Sequence, residues 1–157
     1  MTYIRTKNIN NNNYAYLVEN VKTDNGPRQK VLQYLGRVHQ LEKKDVVEVN
    51  QFCLLNNLVV SELKARGFKQ KDELLINKKM SYSPKSFVLT KKTNSKTEKD
   101  AVLKVNDGHL CSFTLQRIAN FKKSKNLNAD AQKLAKYFLE AGLQVSREQF
   151  VQYYQRL

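Results

Sequence analysis

Two runs rich in aromatic and β-branched residues, Tyr14 to Thr23 and Arg28 to Leu35, flank the tetrapeptide Asp24-Asn25-Gly26-Pro27. That arrangement leaves the chain few options. Glycine supplies the positive φ of a tight turn, proline cannot continue a central ladder, and the flanking residues fit a pleated, half-buried surface. The segment reads as an antiparallel β-hairpin whose return strand is stopped by Gly36. Tyr3 to Ile9 alternates loosely and is followed by the polar run Asn10 to Asn13, which suits a turn, so a third strand is expected before the hairpin.

From about Glu42 to Asn77 the pattern turns helical, with Val46, Val47 and Val49 blurring its start. Val49, Phe52, Cys53 and Leu58 can share a stripe, Leu63, Phe68, Leu74 and Leu75 continue the apolar supply, and Gly67 is expected to end one helix. Lys78 to Lys85 is polar and holds Pro84, Ser86 to Thr90 suits a short strand, and Lys91 to Asp100 has no apolar residue at all, the composition of a linker or loop. Ala101 to Val105 reads as a short strand or extended stretch, Asp107-Gly108 as a turn, and Leu110 to Phe121 as a helix with Leu110, Phe113, Ile118 and Phe121 facing a core. Asn128 is the expected N-cap of the next helix, in which Leu127, Ala131, Leu134, Ala135 and Phe138 recur at helical spacing up to a C-terminal Gly142. Ser146-Arg147-Glu148-Gln149 has the form of a capping box before a last helix with Phe150, Val151, Tyr154 and Leu157 on its apolar face. The expected class is α+β: an N-terminal antiparallel hairpin or three-stranded sheet with helices (residues 1–90), a polar linker or loop (91–100), then a helical C-terminal part (101–157).

Charge narrows the function. Lys and Arg number 28 against 14 Asp and Glu, a net +14, and the positive charge is spread along the whole chain rather than gathered in a tail. With 41% apolar residues, eight Tyr and seven Phe, the chain is too hydrophobic for a disordered basic tail. No run of eighteen apolar residues exists to span a membrane, and Met1-Thr2-Tyr3-Ile4-Arg5 lacks the apolar stretch of a signal peptide, which makes a cytoplasmic location the expectation. Two cysteines, Cys53 and Cys111, do not make a disulfide scaffold. A field of this strength favours a polyphosphate partner, although a lysine-rich composition also serves solubility alone.

The candidate contacts are Arg5, Lys7, Arg28, Lys30, Arg37, Lys91, Lys92, Lys122, Lys123 and Lys125 for phosphate, with Tyr14 and Tyr16 for base stacking. Strict alternation puts Arg28, Lys30, Leu32 and Tyr34 on one face of the return strand. If Tyr14 and Tyr16 share that face, rings and cations combine in a way that suits unpaired bases; alternatively the tyrosines pack a core and the cations are simply solvated. The last two helices have the length of a helix-turn-helix, but Phe138 stands where close helix packing wants a small residue, so a plain α-hairpin is the preferred reading. His109-x-Cys111 is the only close His/Cys pair, and with His39 and Cys53 far away in sequence it matches no zinc signature. No phosphate loop or nucleophile motif is present, so no catalytic residue, metal or cofactor is expected.

Tyr14-x-Tyr16-Leu17-Val18-Glu19-Asn20, followed by Gly26-Pro27-Arg28-Gln29-Lys30-Val31-Leu32-x-Tyr34-Leu35-Gly36-Arg37, resembles the opening hairpin of insertion-sequence transposases, with its tyrosine-rich "LVES"-like strand and returning "RQ-V---LG" strand. The resemblance covers residues 14–41. It implies a nucleic-acid-contacting module without the cutting machinery, since the three carboxylates and the Tyr-Arg-Glu-Lys signature of such nucleases find no place here. The expectation is a non-enzymatic RNA-binding protein, associated with the ribosome or another ribonucleoprotein. RNA is favoured slightly over DNA because dispersed lysines with exposed aromatics suit irregular RNA. The alternatives are a duplex-DNA-binding regulator or transposase-derived accessory factor using the last two helices, and a protein-interaction subunit with a basic docking surface.

Overall fold

The computed structural model describes residues 1–44 and 54–157; Val49, Phe52 and Cys53 of the expected helical stripe, and Val46 and Val47 at its start, lie outside them. Three long strands open the chain: β1 (Thr2–Ile9), β2 (Asn12–Thr23) and β3 (Gly26–Gln40). Asn10 and Asn11 both take positive φ between β1 and β2, the conformation that a two-residue hairpin turn needs and that asparagine tolerates best after glycine. Asp24 and Asn25 turn the chain from β2 to β3, and Thr23 Oγ1 donates to the Gly26 carbonyl at 2.6 Å. The α+β class is as expected, with a larger sheet. Helix α1 (Leu55–Ala65) is followed by β4 (Lys69–Lys71), β5 (Leu74–Asn77), β6 (Met80–Ser83), β7 (Val88–Lys92), β8 (Glu98–Val105), β9 (Gly108–Leu110), and helices α2 (Ser112–Ala119), α3 (Leu127–Ala141) and α4 (Arg147–Arg156). The nine strands join in the order β1-β2-β3-β8-β7-β6-β5-β4, with β9 on β8. All pairs are antiparallel except β3 with β8.

Several sequence expectations are corrected by this sheet. The helical pattern over Glu42–Asn77 holds among the described residues only for α1; Gly67, at φ +88, ends it, and Leu74–Asn77 then becomes a strand. There Leu75 is fully buried while Leu74 is exposed, an alternation too short to be told from a helical fragment in sequence. Lys78–Lys85 contains β6. Residues 91–100 are the end of β7, a turn over 93–97, and the start of β8, paired through Lys91↔Lys99 and Lys92↔Glu98. Leu110 closes β9, so the helix expected from it starts at Ser112. The N-cap of α3 is Asn126 rather than Asn128: its side chain accepts from the Ala129 N–H at 3.1 Å, while Asp130, in the first turn, accepts from the Ser124 backbone and hydroxyl and ties the preceding loop to the helix. Ser146 and Gln149 form the expected reciprocal capping box.

Gly36 does not stop β3. It sits at φ +134 beside β8, where a Cβ would lie 2.6 Å from the Asp100 carbonyl oxygen. Glycine there lets β8 come alongside, and β3 runs four residues further, with Arg37↔Ala101 and His39↔Leu103 in parallel register.

Paired residues share a face, so register divides the sheet cleanly. Leu75, Met80, Tyr82, Leu89, Ala101 and Leu103 lie on one face and form the main core with Leu58, Leu63, Leu115, Ile118, Leu134 and Phe138 of the helices. Within it, Phe138 meets Tyr153 edge-on at 5.3 Å, so α3 and α4 close the core as an α-hairpin. A smaller cluster on the opposite face joins Ala15, Leu17, Leu35, Val102 and Cys111. The helices cover the first face over β5–β9 and leave it open over β1–β3.

Candidate nucleic-acid interface

The uncovered part of the helix-bearing face carries the tyrosines. Tyr14 pairs with Lys7 on β1 and Arg37 on β3, and Tyr16 pairs with Arg5 and Tyr34. Their side chains meet accordingly. The Tyr34 ring lies 6.4 Å from that of Tyr14 and 5.3 Å from that of Tyr16, and Lys7 Nζ stands 5.4 Å from the centre of the Tyr16 ring. Arg5 donates to the Gln29 side-chain Oε1, Gln29 Nε2 donates to the Tyr3 hydroxyl, and Arg37 donates to Asn12 Oδ1. Tyr34 is 53% exposed, a large ring left in solvent rather than buried in a core.

Arg28 and Lys30, expected beside these tyrosines, are on the other face. The cause is two β-bulges in β3: Leu35 is inserted between the pairs Ala15↔Gly36 and Tyr16↔Tyr34, and Leu32 between Leu17↔Gln33 and Val18↔Val31. Each extra residue reverses the alternation for what lies beyond it. Arg28 and Lys30 are thus opposite Val21 and Glu19, while Tyr34 and Arg37 join the tyrosine face.

That face continues across β3 into a groove of about 850 Å³ between the N-terminal sheet and the β7–β8 hairpin. Tyr14, Tyr34 and Arg37 form one wall, and Lys79, Lys91, Lys92 and Lys99 come from the other, with His39 between them. Five cations line the groove against two carboxylates, Glu98 and Asp100. Among the described residues none of the five is in an ion pair. Lys91 Nζ instead lies 3.4 Å from His39 Nδ1. Burial, then the charges of Lys91 and Arg37, lowers the His39 pKa to about 4, leaving the imidazole neutral at pH 7 and able to accept from the lysine. Lys91 is itself pulled down, first by burial and then by Arg37 and Lys79.

The groove brings together Tyr14, Arg37, Lys91 and Lys92 of the expected contacts, with Lys7, Tyr16 and Arg5 alongside on the same face. It does not include Lys122, Lys123 or Lys125, which follow α2; Lys123 Nζ instead sits 4.7 Å over the Tyr154 ring. Tyr34, His39, Lys79 and Lys99 belong to the site but were not singled out in sequence. Tyr34 was legible as a strand residue; the lysines are assembled only by pairing of β6, β7 and β8. His109 and Cys111 stand apart. Burial and then Lys104 lower His109 to about 4, while burial raises the Cys111 thiol, which lies within 3.6 Å of Thr114 Oγ1. Among the described residues no three His, Cys, Asp or Glu side chains gather as a metal site, and no helix is long and apolar enough to cross a membrane.

The two histidines give a pH prediction. Each binds a proton less readily in the folded chain than at its ordinary 6.5, so the stability each contributes is complete above pH 6.5 and is lost as pH falls toward about 4. Urea midpoints are expected to fall over that window, and His39→Gln and His109→Gln each to flatten the fall. A parallel acid limb in the double variant would show that other groups cause it.

Residues 4–64 match the family model described as IS1634 family transposase, N-terminal domain. The matched segment runs from within β1 into α1 and contains β2, β3 and all of β1 but its first two residues. No curated protein and no solved structure matches the chain.

Proposed function

We propose that this chain is a DNA-binding module of the transposase N-terminal kind, which contacts DNA through the tyrosine-bearing face of β1–β3 and neither cuts nor joins strands itself. The observation that carries the reading is the register-enforced grouping of Lys7, Arg37, Tyr14, Tyr16 and Tyr34 on one open sheet face, inside the segment that matches a transposase domain. The match favours the transposase-derived alternative over the RNA-binding expectation, because a transposase acts on DNA. It also moves the expected contact away from the last two helices, since α3 and α4 lie outside the matched residues. Cations on a rigid sheet hold phosphates in fixed positions, and the tyrosine hydroxyls add neutral donors.

Fluorescence anisotropy with a 20-base-pair DNA duplex and an RNA hairpin of equal length, each at several salt concentrations, tests this. The expected result is duplex binding at least as tight as RNA binding, with log K falling steeply against log salt. A clear preference for RNA would restore the RNA reading. Absence of binding to either near physiological salt would leave the basic surface to an acidic protein partner.

A further inference from the structure

Resting on the DNA-binding reading, we infer that the groove between β3 and the β7–β8 hairpin is a subsite for one unpaired nucleotide, with the base against Tyr14 and Tyr34 and its phosphodiester among Arg37, Lys79, Lys91 and Lys99. The groove's volume, about 850 Å³, lies in the range of roughly 300–1,000 Å³ that encloses small organic ligands. A double helix is far too wide to enter it. A single nucleotide extending from a duplex lying on the β1–β3 face is not.

The chemistry of the walls selects this ligand. A base inside a duplex hides both π-faces in its own stack, so an exposed tyrosine ring gains nothing from it beyond edge contact; an unstacked base offers a whole face. Tyr34 is half-exposed, directed to the groove, and held between Tyr14 and Tyr16 at 6.4 and 5.3 Å. The opposite wall keeps a net positive charge, with Lys79, Lys91, Lys92 and Lys99 outnumbering Glu98 and Asp100 and, among the described residues, none of these lysines in an ion pair. Lys79 Nζ is bonded to the neutral Asn94 side chain at 2.8 Å, and Lys91 faces a histidine instead of a carboxylate. Clustering unpaired cations costs stability unless an anion enters, and a phosphodiester is the anion that arrives already attached to an aromatic base. Thr90, Thr93 and Asn94 complete the lining with neutral hydrogen-bonding groups. An acidic peptide would satisfy the lysines and leave the rings unused.

The test uses the full chain and three labelled DNA probes: a blunt duplex, the same duplex with a three-nucleotide overhang, and a duplex whose overhang carries 2-aminopurine. The wild-type chain is expected to bind the overhang duplex about ten-fold more tightly than the blunt one and to change the 2-aminopurine fluorescence on binding. Tyr34→Ala is expected to abolish both effects, bringing the ratio of overhang to blunt-duplex affinity down to about one and removing the 2-aminopurine response. Lys79→Ala with Lys99→Ala, on exposed strand and turn positions, is expected to reduce the preference without touching the rings. Equal affinity for blunt and overhang duplexes would overturn the subsite and leave the DNA-binding reading standing. A preference that survives in Tyr34→Ala would likewise overturn it. Failure to bind any probe would remove both.

Discussion

Gly108→Ala is expected to destabilise the fold by about 3 kcal/mol or more, the upper part of the range for forcing extra atoms into a packed interior. A Cβ on Gly108 would lie 2.1 Å from the Gly142 backbone nitrogen and 2.5 Å from the Leu139 carbonyl oxygen. The obstacle is backbone on both counts, so no rotamer change relieves it. Gly142 is held equally closely from its own side: its Cβ would meet the Val105 carbonyl oxygen at 2.0 Å, and Asn106 Nδ2 donates to its carbonyl at 2.7 Å. These contacts seat the end of α3 on the β8–β9 turn and so join the C-terminal helices to the sheet. Gly26→Ala is the control. It has nothing within 4 Å but a φ of +96, and is expected to cost only about 1–2 kcal/mol from backbone strain. Urea unfolding at pH 7 separates the two; a Gly108→Ala midpoint close to that of Gly26→Ala would show that α3 does not sit where described.

The second large effect concerns charge placement. Arg37→Ala with Lys91→Ala is expected to lower the slope of log K against log salt for duplex DNA carrying an overhang by about 1, the effect of losing the one phosphate that the two residues share. Arg28→Ala with Lys30→Ala removes the same net charge from the opposite face and is expected to leave the slope near the parent value. Before the bulges in β3 are known, Arg28 and Lys30 are as good candidates as Arg37. Anisotropy titrations of both double variants at matched salt decide the matter. Equal slopes in the two would mean that overall charge, and not the tyrosine face, governs binding.

The contrast shows what could be read in the sequence. The turn at Asp24-Asn25-Gly26-Pro27, the strand before it, the glycine at the end of α3 and the capping box at Ser146 are local chemistry, and the structure has them where the residues placed them. Three-residue and four-residue strands such as β4, β5 and β9 are too short to display a period, and only pairing with neighbours defines them. Lys91–Asp100 looks like a linker because its strand ends carry no apolar residue; Lys91, Lys92, Glu98, Lys99 and Asp100 line a polar groove and not a core. For the site, the residue types were legible and the face was not. Leu32 and Leu35 look like ordinary strand residues, and nothing in their identity announces that each is an extra residue against β2. Lys79 and Lys99 line one groove with Arg37 because β8 lies parallel to β3, a pairing that Gly36 permits and that no local pattern encodes.

On the proposed function, the open face of β1–β3 is the DNA-contacting surface. Backbone amide chemical shifts, followed by NMR as an unlabelled duplex with an overhang is titrated into the isotope-labelled chain, test it most directly. Shifts are expected to concentrate at Lys7, Tyr14, Tyr16, Tyr34 and Arg37 and along the β7–β8 hairpin, with α4 undisturbed. Shifts concentrated at Gln149, Gln152 and Arg156 of α4, with β1–β3 unchanged, would contradict it.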